Sequence, residues 1–177
     1  MIRTGLLLAA GASRRFGPED KLLAMLRGRP LAAHAAQAMR DCPLDRRIAV
    51  IANPALLPWL DGFQVIRIDP GDQSASLRAG LAAAGSPDRL LVALGDMPDV
   101  TGVHLAAVLG AATDHLPACS HDGTAPLPPA CFPRASLMGL ASLQGDRGAG
   151  ALLRALPAAQ HVAAVGLLRD IDRPDDL

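Results

Sequence analysis

The residues best suited to chemistry gather near the N-terminus. There an apolar run, Leu6-Leu7-Leu8-Ala9-Ala10, stops at Gly11-Ala12-Ser13 and is followed by Arg14, Arg15, Gly17, Pro18 and Lys21. Small residues let backbone N–H groups approach an anion closely, and a nest of such amides binds phosphate without side-chain help. Arg15 adds a planar fork of donors and Lys21 a point charge, both matched to phosphate oxygens. The spacing is not that of a Walker loop, because Gly11 and Gly17 are six residues apart and Pro18 follows. The dinucleotide fingerprint G-x-G-x-x-G is absent as well, which argues against a dinucleotide-dependent redox enzyme. The alternative to an anion site is an ordinary strand-to-helix turn with solvated basic residues.

Two carboxylate clusters come next. Leu90–Leu94 runs directly into Gly95-Asp96-Met97-Pro98-Asp99, and an isolated carboxylate at the end of a buried strand is costly to desolvate. Asp96 either caps the following helix or opens a turn before Pro98, or it offers its oxygens to a hard cation such as Mg2+. Asp99 reads as a solvated loop carboxylate. The C-terminal stretch Asp170-Ile171-Asp172-Arg173-Pro174-Asp175-Asp176 is acidic, and solvation accounts for Asp175 and Asp176. Gly71-Asp72-Gln73-Ser74-Ala75-Ser76 is a glycine-bearing loop entering a helix, with Ser74 as the expected N-cap. Asn53-Pro54 is a turn or a flank to a base. Asp146 is an N-cap or a ligand, and His121 fits a hydrogen-bonded loop histidine better than a catalyst.

Positioning such groups takes a sheet. Ile48–Ala52, Val65–Ile68 and Leu90–Leu94 are short apolar runs of the kind buried on both faces of a parallel sheet. Helical stretches alternate with them at Pro30–Arg40, Pro54–Leu60, Ser74–Ala84 and Gly102–Ala112, the last capped by Thr101. This is the rhythm of βαβ units with right-handed crossovers. From Pro117 onward prolines break the pattern, and short strands at Ala118–His121 and Ala130–Phe132 suggest an antiparallel insertion at the sheet edge. Helices around Ala135–Leu143 and Gly148–Leu156 and a last strand at Val162–Leu167 complete the expected order. Ligands of such sheets bind at the carboxyl ends of the strands, near the point where strand order reverses.

Composition narrows the partners. The 177 residues suit one domain (1–177), with half of them hydrophobic and only 19% charged, so disorder is excluded. Seventeen basic residues balance seventeen acidic ones, and aromatics are limited to Trp59, Phe16, Phe63 and Phe132. Neither a general polyanion partner nor a base-stacking platform for nucleic acid fits these figures. No apolar run approaches the ~20 residues of a membrane span. Cys42, Cys119 and Cys131 lack metal-ligand spacing, so free thiols in a reducing cytoplasm are expected.

The stretch Leu8 to Lys21, L-A-A-G-x-S-x-R-x-G-x-x-x-K, resembles the nucleotide-binding loop of the MobA-like NTP transferase family. Four further segments agree in order: Gly71–Leu81, Gly95-Asp96-Met97-Pro98, Pro129–Phe132 with Gly145-Asp146-Arg147-Gly148-Ala149, and Asp170–Leu177. The resemblance implies a three-layer α/β/α Rossmann-like nucleotidyltransferase fold, an NTP-binding half (1–100) and an acceptor-binding half (101–177). It implies transfer of a nucleoside monophosphate from an NTP to a phosphorylated acceptor, molybdopterin foremost, with release of pyrophosphate. Arg15 and Lys21 then act on the triphosphate, and Ala9, Ala10, Gly11, Ala12, Ser13, Lys21, Gly71, Gln73, Ser74 and Ser76 bind the nucleotide. Asp96 and Asp172 become ligands of Mg2+, with Mn2+ as a substitute and Asp146 as a rival second ligand. His121, Pro129, Asp146 and Arg147 face the acceptor. Ala10 in L-A-A-G is similar to the cytidylyltransferase branch, so CTP is favoured over GTP; a guanylyltransferase or a sugar or alditol phosphate transferase is the alternative. The implied partners are small-molecule substrates and a molybdoenzyme maturation factor, with neither nucleic acid nor membrane. A non-catalytic nucleotide-binding protein is the alternative of another class. Lys21 is expected to be exposed before ligand binds, and the chain to end before the final helix of longer relatives.

Overall fold

The first apolar run forms strand β1 (Arg3–Ala9), and its side chains alternate between two separate cores. Leu7 and Ala9 face one and Leu6 and Leu8 the other, which is why the run shows no polar alternation. The computed structural model describes residues 1–11, 16, 20–142 and 148–177. After β1 a short 3-10 turn (Lys21–Leu23) leads into a small antiparallel hairpin, β2 (Met25–Leu26) and β3 (Arg29–Pro30). Helix α1 (Leu31–Asp41) follows, then β4 (Arg46–Ile51), β5 (Gln64–Arg67), α2 (Gln73–Ala84), β6 (Arg89–Leu94) and α3 (Gly102–Ala111). The remainder comprises β7 (Ala118–His121), β8 (Pro126–Pro133), α4 (Leu137–Ala141), α5 (Gly148–Arg154) and β9 (His161–Ala163).

Seven strands make one sheet in the order β5-β4-β1-β6-β8-β7-β9. All neighbours pair parallel except β8, which runs antiparallel to both β6 and β7. The expected antiparallel element is therefore present, but inside the sheet, and the edges are β5 and β9. Pro128 and Pro129 are tolerated because the pairing of β7 with β8 is irregular between Cys119 and Ser120, which leaves them outside the ladder.

Helices cover both faces. α1 and α3 pack against the core that holds Leu7, Ala49, Leu91 and Ala93. α2, α4 and α5 supply Leu77, Leu81, Leu140 and Leu153 to the core around Leu6, Ile48, Val50 and Leu90. Burying each such leucine or isoleucine contributes about 1.5–3 kcal/mol. Close backbone approach is needed at Gly102, where a Cβ would lie 2.6 Å from Asp41 Cβ and 3.0 Å from the Ala38 carbonyl oxygen. The first turn of α3 thereby sits directly on the end of α1.

Three local expectations change. Pro54–Trp59 is a 3-10 turn, as Pro58 inside it removes an amide donor an α-helix would need. Asp72, not Ser74, caps α2 by accepting from the Ala75 amide at 2.7 Å. The last strand is only His161–Ala163, because a turn with Gly166 at φ +76° follows it.

Candidate functional site

The strand order reverses between β1 and β6, which run parallel side by side, so the loops leaving their carboxyl ends diverge and open a crevice. Gly11 leaves β1 there and forms a parallel bridge with Gly71, which draws the loop before α2 against the loop after β1. Gly95 leaves β6 with its amide on the Leu8 carbonyl at 2.9 Å. A Cβ at Gly95 would lie 3.2 Å from Ala9 Cβ and 3.4 Å from the Leu8 oxygen, so glycine lets the two loops touch. The resulting pocket is lined by Ala10, Gly11, Lys21, Gln73, Ser76 and Asp96, with leucines beneath them.

Three charges converge at its rim. Lys21 Nζ lies 2.7 Å from Asp96 Oδ2 and 3.1 Å from Asp172 Oδ1, joining residues 151 positions apart in the chain. Lys21 is only 9% exposed, so the expectation of a free, solvated lysine is corrected. Lys21 opens a 3-10 turn that Asp20 caps, its carboxylate accepting from the Leu22 amide at 3.0 Å. Burial works to lower the lysine pKa, but the charge of Asp96 and the hydrogen bonds to Asp96 and Asp172 outweigh it and hold it above its ordinary 10.5. Asp170 is drawn into the same field. Partial desolvation, with the nearby charges of Asp172 and Asp96, raises the pKa of this surface carboxylate.

The fit of a divalent cation can be judged from Asp96 itself. Its Oδ1 is buried and has no hydrogen-bond partner among the described residues. An orphan carboxylate oxygen is costly. Beside a second carboxylate it is the kind of hard donor that Mg2+ or Mn2+ takes while keeping several waters. Asp96 and Asp172 fit such an ion, and Lys21 places a compensating charge on both carboxylates. Among the described residues no group of three or more His, Cys, Asp or Glu side chains forms a complete ligand cage.

The segment carrying Asp172 is tied down by contacts the sequence did not announce. The Ile171 amide donates to the Asp96 carbonyl at 3.0 Å, and Ile171 is fully buried. Asp176 Oδ2 accepts from the amides of Asp172 at 3.0 Å and Arg173 at 2.8 Å. Asp99 takes Arg27 at 2.7 Å on one oxygen and Arg169 at 3.0 Å on the other. Burial raises the Asp99 pKa, yet the hydrogen bonds and charges of the two arginines prevail and hold it below 3.8. Asp99, Asp176 and Arg169 were thus missed as site-building groups. Their only sequence signal was an acidic residue close to each expected ligand.

Other expected residues fall unevenly. Ala10, Gly11, Lys21, Gln73, Ser76 and Asp96 line one pocket, and Asp172 reaches its rim through Lys21. Ala9 is buried in the core under α1, and Ser74 is turned to Asp72 at 2.9 Å and Arg78 at 3.1 Å. Asn53 caps the 3-10 turn through the Ala55 amide, as a turn residue would. His121 accepts from the Gly123 amide at 3.0 Å and stacks on His161 at 5.1 Å, in keeping with a loop histidine. Ala12, Ser13, Arg15, Asp146 and Arg147 lie outside the described residues. No helix among the described residues is long and apolar enough to cross a membrane.

Comparison with known proteins shows which families and folds the chain is similar to. A probable molybdenum cofactor guanylyltransferase of Pyrococcus horikoshii is 37% identical over 99 residues, 53% of this chain and 48% of that protein. The molybdenum cofactor guanylyltransferase of Cereibacter sphaeroides is 37% identical over 101 residues, 55% of this chain and 52% of that protein. The chain thus spans about half the length of the curated relatives it matches. Among solved structures, Rv0371c of Mycobacterium tuberculosis superposes with a TM-score of 0.83 at 28% identity, covering 99% of this chain and 96% of the other. A complex of that mycobacterial protein with manganese is 25% identical with the same TM-score and the same coverage. The model of the MobA-like NTP transferase domain matches residues 5–162, nearly the whole of the sheet that builds the crevice, and the chain belongs to that family.

Proposed function

We propose that the protein transfers a nucleoside monophosphate from an NTP to a phosphorylated acceptor, with molybdopterin as the favoured acceptor. The observation that carries this reading is the meeting of Lys21, Asp96 and Asp172 at a pocket lined by Gly11, Gln73 and Ser76, where strand order reverses. An acceptor phosphate oxygen bonds to the α-phosphorus, the bridging bond to the β-phosphate breaks, and pyrophosphate leaves. Such a step asks for alignment and charge neutralisation more than for covalent catalysis. The amides of the loop after β1 bind the triphosphate, and Arg15 and Lys21 stabilise the negative charge growing on pyrophosphate. Gly71, Gln73 and Ser76 face the nucleoside, with Ser74 supporting their loop. Asp96 and Asp172 would hold Mg2+ or Mn2+, which supplies further positive charge at the reacting phosphates.

Residues 1–100 form the NTP half and 101–177 the acceptor half, with His121, Pro129, Asp146 and Arg147 on the acceptor side. On the base, the relatives named as guanylyltransferases outweigh the single-residue argument from Ala10, and GTP replaces CTP as the favoured donor. The balanced charge and the three buried free thiols suit small-molecule chemistry in the cytoplasm. Delivery to a molybdoenzyme maturation factor would follow.

Calorimetric titration of GTP, CTP, ATP and UTP, each with Mg2+, into the wild type and Asp96→Ala tests the reading. Selective GTP binding that weakens at least tenfold in Asp96→Ala is expected. Selective CTP binding restores the cytidylyl reading, and no binding of any nucleotide overturns the transferase.

A further inference from the structure

Asp99 does not line the pocket, yet its hydrogen bonds to Arg27 and Arg169 join the three elements that carry the charged groups of the site. One carboxylate oxygen takes Arg27 at 2.7 Å, in the hairpin that continues from Lys21. The other takes Arg169 at 3.0 Å, three residues ahead of Asp172, and Asp99 itself stands three residues after Asp96. Arg169 also donates from Nη1 to the Asp176 carbonyl at 2.9 Å, and Asp176 in turn holds the amides of Asp172 and Arg173. A second observation points the same way. Arg27 has φ 51°, in the left-handed region that side chains avoid, and with Gly28 at φ 81° forms the two-residue turn between β2 and β3. From that turn the Arg27 guanidinium reaches an 18% exposed carboxylate.

We infer that Asp99 is a positioning residue: through Arg27 and Arg169 it clasps the C-terminal segment and the β2–β3 hairpin to the loop after β6, and so sets Asp172 against Asp96. The inference rests on the reading of Asp96 and Asp172 as a cation site. The clasp touches neither substrate nor cation. It fixes the separation of two carboxylates that repel each other whenever no cation lies between them. An isolated exposed arginine–carboxylate pair contributes little, but one carboxylate shared by two guanidinium groups adds the geometric restraint of a planar fork on each side.

The test combines hydrogen exchange of the peptide spanning residues 168–177 with Mn2+ binding followed by electron paramagnetic resonance, in wild type, Asp99→Asn and Asp99→Ala. Asp114→Asn, which removes the exposed partner of Arg89 elsewhere on the molecule, serves as a charge control. Expected for both Asp99 variants are at least tenfold faster exchange at the Ile171–Arg173 amides and Mn2+ affinity weakened at least tenfold, with the control unchanged. Arg169→Gln breaks the same link from its exposed end and should reproduce both effects if the Asp99 variants do not fold. Unchanged exchange overturns the clasp. Unchanged exchange with lost Mn2+ binding would make Asp99 a ligand instead. Faster exchange with unchanged Mn2+ affinity would make the clasp irrelevant to the cation and overturn its role. A wild-type protein that binds no Mn2+ overturns the site reading itself, which the exchange data do not depend on.

Discussion

Removing the Lys21 charge should cost stability as well as activity, and the size of the loss follows from the geometry. Lys21 Nζ sits 2.7 Å from Asp96 Oδ2 and 3.1 Å from Asp172 Oδ1, so the two oxygens lie no farther apart than the sum of those distances. Without the ammonium, two unit charges about 5 Å apart repel by about 3 kcal/mol at an effective dielectric of about 20. The side chains of Asp96 and Asp172 are 20% and 29% exposed, which screens part of that repulsion. Stripping one partner from a fully buried pair costs ~3–5 kcal/mol. Lys21→Met, which keeps the apolar stem and drops the charge, should therefore lose about 2–3 kcal/mol in urea unfolding at pH 7. The folded-state pKa of Lys21 is raised, so the wild-type advantage is complete below 10.5 and fades as pH rises through the higher folded value. Mn2+ at a hundredfold excess over its dissociation constant should return about 2.7 kcal/mol to the variant, because the cation takes the place of the ammonium between the carboxylates. A Lys21→Met protein within about 0.5 kcal/mol of wild type refutes the electrostatic argument. A variant that loses stability but gains none with Mn2+ refutes the pairing of Asp96 and Asp172 as a cation site.

Two further expectations concern the frame. Gly102→Ala forces a Cβ against Asp41 and the Ala38 carbonyl, where backbone must shift, and should cost about 1–3 kcal/mol by denaturant unfolding; a cost below 0.5 kcal/mol contradicts that packing. Burial raises the Cys131 thiol to about 12 and the Cys42 and Cys119 thiols to about 11, so all three should resist a thiol-specific reagent at pH 8 in the native state and react only on unfolding. Prompt labelling of any one in the native protein contradicts its burial.

What the sequence disclosed was mostly what short-range rules govern. Leu90–Leu94 and Ile48–Ala52 are recognisable as two-face-buried strands from five residues each, and Thr101 caps α3 through the His104 amide as a local pattern predicts. Asp96 stands out because packing alone explains a carboxylate at the end of a buried strand poorly, Gly11 because it ends an apolar run, and Asp172 only through the family resemblance of the closing motif. The misplacements are equally physical. The capping of α2 moved from Ser74 to Asp72, since a carboxylate two residues earlier reaches the Ala75 amide and binds the Ser74 hydroxyl besides. The prolines after Pro117 break the βα rhythm and suggest an antiparallel insertion at the sheet edge, yet β8 lies between β6 and β7, where β7 pairs with it across an irregular register.

Lys21 is the most instructive displacement. Nothing local separates a solvated lysine from one folded inward, because the groups that draw it in come from residues 75 and 151 positions away. The same separation explains why Asp99 looked like an ordinary loop residue: its two arginines lie 72 and 70 positions from it, on either side. A carboxylate's role here is set by which distant cations the sheet order delivers to it. The order β4-β1-β6 places the ends of β1 and β6 side by side, and the C-terminal segment closes over them through the Ile171 amide. The site is thus assembled by topology from residues whose individual signals are weak. Perturbing a connector such as Asp99 should therefore disturb it more than its distance from the pocket suggests.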